Sequence, residues 1–237
     1  MDSQILDRAK KDLPLYSKEL NAFWDETVSQ FADDDLTDSY ANSLIFKNWT
    51  IALNHIGINN LDPILKELHE DINASFFLAH FGLYRSAHMH LRSVIELSLQ
   101  LLYFIHHEIE FKQWKTGDFR IKHEELTEYL KKHPNLFGTS VVTLIGNITT
   151  DWKKFSKFIH AEAPAYFQSN LESHAKKSVI EKDFNIWKSS YLLTGYRLNK
   201  VFLTFFRERI KNFPTQTREI LLRNMRDSDY PELGIEK

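Results

Sequence analysis

The sequence predicts an all-α protein, a bundle of about six to eight helices, and three observations carry that reading. Apolar residues recur at steps of three and four along almost the whole 237-residue chain. No stretch of convincing strand length alternates with period two. One segment, Leu91 to Ile105, is apolar on nearly every side, which marks a central helix surrounded by others.

The elements follow in order. From Leu15 to Ala32, the residues Leu20, Phe23, Trp24, Val28 and Phe31 share one helical face, and Pro14 suits the first turn. Asp33, Asp34, Asp35 and Thr37 form a polar break. A second helix runs from about Asp38 to His55 and ends near Gly57. Asp62 and Pro63 fit the cap and first position of a third, which continues towards His80. Gly82 interrupts before the central helix. Trp114 to Phe119 reads as a loop around Gly117, and His123 to Lys132 as a short helix. After a break at Pro134 to Gly138, Thr139 or Ser140 caps a helix through Trp152, Phe155 and Ile159 to His160, with Pro164 as its stop. Gln168 to Asp183 is a polar connector. The last long helix spans Phe184 to Phe213, and Pro214 introduces a short helix to Arg226 and a frayed end. The chain thus divides into an N-terminal helical extension (1–37), a helical domain (38–213) and a tail (214–237).

Composition removes whole classes of chemistry. With 43% hydrophobic residues and only seven glycines, the chain is neither disordered nor of low complexity. Having no cysteine, it offers no thiolate nucleophile, no Cys-ligated zinc, no iron–sulfur cluster and no disulfide. Phosphate-loop and dinucleotide glycine motifs are absent, as are Glu-x-x-His pairs, HExxH and GxSxG, so neither a cofactor nor a metal is expected. The charged start and the lack of an 18-residue apolar run predict a soluble, cytoplasmic protein with no membrane contact. Charge is uneven: residues 1–75 carry 14 acids and 6 bases, whereas the rest carries a net +6. That basic part permits an anionic partner such as RNA.

Two polar patterns remain. Arg85, His88, Arg92 and Glu96 lie three, four and four residues apart and form one stripe on the central helix. It reads either as an exposed face with an ordinary Arg92–Glu96 ion pair, or as the wall of a cleft where arginine stabilises phosphodiester charge and Glu96 fixes the guanidinium. Lys153, Lys157 and His160 share a face of a later helix, with Trp152, Phe155 and Ile159 turned to the core. They read either as a solvated face or as RNA-contacting lysines beside a base.

At these residues the chain resembles the HEPN superfamily, the all-α domains of many prokaryotic toxins and abortive-infection proteins. The resemblance rests on Gly82-Leu83-Tyr84-Arg85-Ser86-Ala87, Leu91-Arg92-Ser93-Val94-Ile95-Glu96, Trp114 with Gly117, and Phe158-Ile159-His160-Ala161, and it covers roughly residues 40–210. It implies a role in antiphage defence or a toxin–antitoxin system, work as a homodimer or with a partner protein, and metal-independent endoribonuclease chemistry. Active members are similar in an Arg-x(4–6)-His motif, which Arg85 and His90 match. The resemblance assigns His160 or His90 as the base, Arg92 or Arg85 as the cation, and Glu96 as the residue that orients it. The alternative is a non-catalytic HEPN-like module that binds a partner protein or nucleic acid in a defence assembly, with Asp33, Asp34, Asp35 and Asp38 as an acidic docking cluster.

Overall fold

The computed structural model describes residues 3–30, 35–160, 162–166 and 181–236; their regular structure is helical, with no strand among them. The α-helices are α1 (Ser3–Gln30), α2 (Asp35–His55), α3 (Asp62–His80), α4 (Tyr84–Phe104), α5 (Glu108–Thr116), α6 (His123–Lys132), α7 (Val141–His160), α8 (Glu181–Phe205), α9 (Thr215–Leu222) and α10 (Tyr230–Leu233). Short 3-10 turns occupy Pro164–Tyr166, Arg207–Asn212 and Asp227–Asp229.

The apolar segment is the centre of the bundle. Helix α4 touches α3, α5, α6, α7 and α8, and Leu91, Val94, Ile95, Leu99, Leu102 and Phe104 are wholly enclosed. It doubles back on α3 through a turn that needs Gly82. There φ is +66°, the Gly82 amide donates to the Ala79 carbonyl at 3.0 Å, and the Leu83 amide donates to the Leu78 carbonyl at 2.9 Å. Those bonds satisfy the last carbonyls of α3 in a backbone region that side chains with a Cβ rarely adopt.

Several elements depart from the sequence expectation, each for a local reason. There are more helices than the expected six to eight, because the stretch around Trp114 and the residues Tyr230–Leu233, expected as a loop and a frayed end, also form helix. Helix α1 begins at Ser3, so Pro14 lies inside it rather than opening it. Leu61 takes the cap of α3, and helical geometry starts at Asp62. Trp114 belongs to α5 and not to a loop; Glu108 and Glu110 in the first turn and Lys115 in the last complement the helix dipole, and Gly117 (φ +83°) stops it. Helix α8 ends at Phe205 and tightens into a 3-10 turn, which lets Phe206, Ile210 and Phe213 all reach the core. The polar connector falls largely on residues 167–180, outside the described ones, although Glu181 to Asp183 are already helical. Asp33 and Asp34, and the side chains of Asp35 and Asp38, also lie outside the described residues.

The end of the chain is built in rather than frayed. Trp49 of α2 is fully buried against Phe202, Phe206 and Phe213, with ring centroids 5.1, 5.7 and 5.8 Å away. Its indole N–H donates to the Asn199 Oδ1 at 2.8 Å, and the Asn199 amide donates to the Leu221 carbonyl of α9 at 2.6 Å. Lys200 of α8 sits between Asp229 (2.6 Å) and Glu232 (3.1 Å), and Glu232 accepts bonds from the Ser140 amide and hydroxyl, both at 2.7 Å. The C-terminal segment therefore clasps α8 and the start of α7. No helix among the described residues is long and apolar enough to cross a membrane.

Candidate functional site

Helices α4 and α7 pack side by side, and the polar stripe of α4 faces α7. Arg92 Nε donates to Ser156 Oγ at 3.0 Å, and Arg92 Nη2 lies 2.8 Å from Glu96 Oε1. The same carboxylate oxygen accepts the Trp152 indole N–H at 2.8 Å. The guanidinium carbon stands 4.9 Å above the Trp152 ring, and Ser156 returns its proton to the Trp152 carbonyl at 2.9 Å. This is a closed loop of charge-assisted bonds and a cation–π contact, so the guanidinium has one orientation. It is not sealed: the Arg92 and Glu96 side chains are 27% and 33% exposed. Among the described residues, Arg92 Nη1 has no partner of its own.

His123, the first residue of α6, completes the cluster. Its ring stacks on Trp152 at 4.3 Å and 7°, it is 7% exposed, and neither ring nitrogen has a hydrogen-bond partner among the described residues. Burial, opposed by Glu124 and aided by Arg92 and Lys153, lowers its pKa to about 4. His88, buried against Phe155 and Phe158, is likewise lowered to about 4, chiefly by burial, with the Tyr84 carbonyl opposing and Lys154 adding to it.

No family model, curated protein or solved structure matches this chain.

Arg85 donates from Nη2 to the Ile159 carbonyl at 2.5 Å, at the end of α7. His160, the next residue, is exposed. Arg85 and His160 thus stand at the same end of the α4/α7 pair, whereas Arg92 engages α7 one turn earlier, at Ser156. His90 turns the other way: its Nδ1 lies 2.7 Å from Asp71 Oδ1 on α3, so Arg85 and His90 are held by different neighbours and do not converge. Lys153 and Lys157 are exposed beside the Arg92 cluster, while Lys154 and Asp151 turn towards Ser190 and Arg197 of α8. Among the described residues, no group of three or more His, Asp or Glu side chains could hold a metal ion. The members the sequence reading missed are Trp152, Ser156 and His123. Trp152 and Ser156 carried one signal, their i,i+4 spacing on a single face.

The two buried imidazoles make a pH prediction. Unfolded, they titrate near the ordinary 6.5; folded, they stay neutral down to about 4. Between those values the unfolded chain binds protons that the folded chain refuses, so stability falls with pH, by up to about 1.4 kcal/mol per pH unit for each ring. His123→Phe keeps the stack on Trp152 and removes one of these protons. Its thermal midpoint is expected to match wild type at pH 7.5 and to exceed it at pH 5; equal midpoints at pH 5 would refute the assignment.

Proposed function

We propose that this chain is a HEPN-like helical module that binds RNA along the α4/α7 edge without cutting it, in a prokaryotic antiphage-defence or toxin–antitoxin setting. The setting rests on the resemblance alone. The observation that carries the binding reading is the Arg92 guanidinium, held by Glu96, Ser156 and Trp152, with Nη1 left for a ligand and Lys153 and Lys157 exposed next to it. A fixed guanidinium loses little freedom when it meets a phosphate, and flanking lysines add charge without demanding sequence.

Cleavage asks for more: a neutral base and a cation aimed at one ribose-phosphate unit. Arg92 is already committed to three groups of its own protein, and His90 is tied to Asp71. One observation favours a second reading, an endoribonuclease, because Arg85 is tied to the residue before the exposed His160. In that reading His160 takes the 2′-hydroxyl proton and Arg85 stabilises the phosphorane.

A single preparation tests both. Binding of a labelled single-stranded RNA is followed against salt, and the same RNA is then run on a denaturing gel. Lys153→Glu/Lys157→Glu alters exposed positions and is expected to weaken binding roughly 10-fold or more and to flatten the salt dependence by about 0.7 per lost contact. Unchanged affinity in that variant would overturn the binding reading. RNA that remains intact supports it, whereas fragmentation abolished by His160→Ala would establish the enzyme instead.

A further inference from the structure

A cleft of about 530 Å³ opens between α2, α8 and the turn that follows α9. Ser189, Leu192, Leu193 and Tyr196 stand at steps of three and four on α8, so that wall is about 10 Å long. Ala41 and Ile45, one turn apart on α2, form the opposite wall, and the middle of the cleft is apolar. Its two charged residues, Arg223 and Arg226, are both cations, and among the described residues no acid lines it.

Three polar groups here are left over from the fold. The Arg226 guanidinium carbon lies 4.5 Å over the Tyr196 ring, and the side chain makes no ion pair among the described residues. Asp229, which accepts from the Tyr196 hydroxyl, already belongs to Lys200. The Asn42 side chain lines the cleft in a residue only 4% exposed; its Nδ2 donates to the Tyr191 carbonyl, and its Oδ1 has no partner among the described residues. Helix α8 makes room for that carboxamide with Gly195, where a Cβ would collide with it. Asn224 accepts the Asn199 amide on Oδ1 at 2.8 Å, and its Nδ2 is enclosed without an acceptor. Buried amide atoms are nearly always bonded. A spare acceptor and a spare donor in one apolar cleft therefore point to a ligand that carries the complement of each.

A secondary amide is that complement, because its N–H suits Asn42 Oδ1 and its carbonyl suits Asn224 Nδ2. A carboxylate suits the Arg226 guanidinium, and an aliphatic body about as long as the α8 wall suits Ile45, Leu192 and Leu193. We propose that this cleft binds an N-acylated amino acid, a small carboxylate joined through an amide to an aliphatic chain. A nucleotide fits it less well, because Arg226 already covers the Tyr196 face on which a base would stack. The cleft uses no residue of α4 or α7, and the inference does not rest on RNA binding.

Calorimetric titration of the full chain with N-octanoylglycine tests it. One site per chain is expected, with a Kd on the order of 50 µM. Arg226→Gln alters an exposed side chain and is expected to weaken binding roughly 10-fold or more. N-octanoylglycinamide, which has no carboxylate, should bind wild type and Arg226→Gln alike, and both weakly. Decanoate keeps the charge and the chain but lacks the amide, and is expected to bind roughly 10-fold more weakly than N-octanoylglycine. Leu193→Phe narrows the cleft and should weaken every one of these ligands, while an unchanged thermal midpoint shows that the body is intact. An acetylated pentapeptide of alanine and glycine with a free C-terminus offers the same amide and carboxylate without the acyl chain, and is expected to bind less well than N-octanoylglycine. Equal or tighter binding of the peptide would make the ligand a polypeptide end and overturn the assignment. No saturable binding by wild type, unchanged affinity in Arg226→Gln, or decanoate bound as tightly as N-octanoylglycine would also overturn it.

Discussion

Lys200→Ala is expected to cost about 3–5 kcal/mol, because it leaves the enclosed Asp229 and the half-buried Glu232 without their cation. The Asp229 side chain is 3% exposed, and it accepts from Lys200, from the Arg226 amide at 2.9 Å and from the Tyr196 hydroxyl at 3.1 Å. Loss of the ammonium strands that oxygen cluster and releases Glu232 from one of its ties. A drop in the thermal midpoint of roughly 10 °C follows for a chain of this size. Lys200→Met/Asp229→Asn removes both charges and is expected to recover a large part of the loss. If the double variant were as unstable as the sum of its parts, the ion pair would not be the source.

The same network has a pH window. Burial alone would push each of its groups towards the neutral form, but the hydrogen bonds outweigh it. Asp229 and Glu232 are held below the ordinary 3.8 and 4.5, and Lys200 is held above 10.5. The carboxylates therefore contribute fully above those ordinary values and lose their contribution as pH falls through the lower folded ones. Lys200 contributes fully below 10.5 and loses it as pH rises through its raised folded value. In Lys200→Ala, the difference from wild type should be flat near neutrality and shrink at both extremes.

Gly195→Ala sets two effects of opposite sign against each other. Helix propensity alone favours alanine by up to about 1 kcal/mol in the middle of α8. Here the added methyl would occupy the place of the Asn42 carboxamide, which is buried on α2 and donates to the Tyr191 carbonyl at 3.2 Å. Overpacking of this kind costs about 1–3 kcal/mol, so the variant is expected to be less stable and α2 to be pushed off α8. Asn42→Ala should relieve the clash and rescue much of the loss. A higher midpoint for Gly195→Ala would show that the two helices separate without penalty.

The legible parts of the fold were those where local chemistry and tertiary demand agree. The bounds of α6 follow from Glu124 and Glu125 in its first turn and Lys131 and Lys132 in its last, and α4 from its nearly continuous apolar character. Helix α5 was hidden because Phe111 alone among its side chains is fully buried, so the period hardly shows. The candidate site was legible as residue types but not as partners. That Arg92 meets Ser156 while Arg85 meets the Ile159 carbonyl depends on how far α7 slides along α4, and His88 stacked on Phe158 at 4.3 Å is part of what sets that slide. His123 gave no signal, because its partner Trp152 comes from another helix.

The clasp between α2 and the last helices also has a consequence in time. Trp49 finds its full cover only when Phe202 and Phe213 are present, and its partner Asn199 is held by the Leu221 carbonyl of α9. During synthesis at about 5–20 residues per second, the interval between residues 49 and 221 is roughly 10–35 s. Through that interval α3 is already at hand to pack on α2, but the face of α2 that carries Trp49 waits for α8 and α9. That uncovered indole face is what a chaperone would hold, and the contacts of α2 with α8 and α9 form only once the final helices have been released.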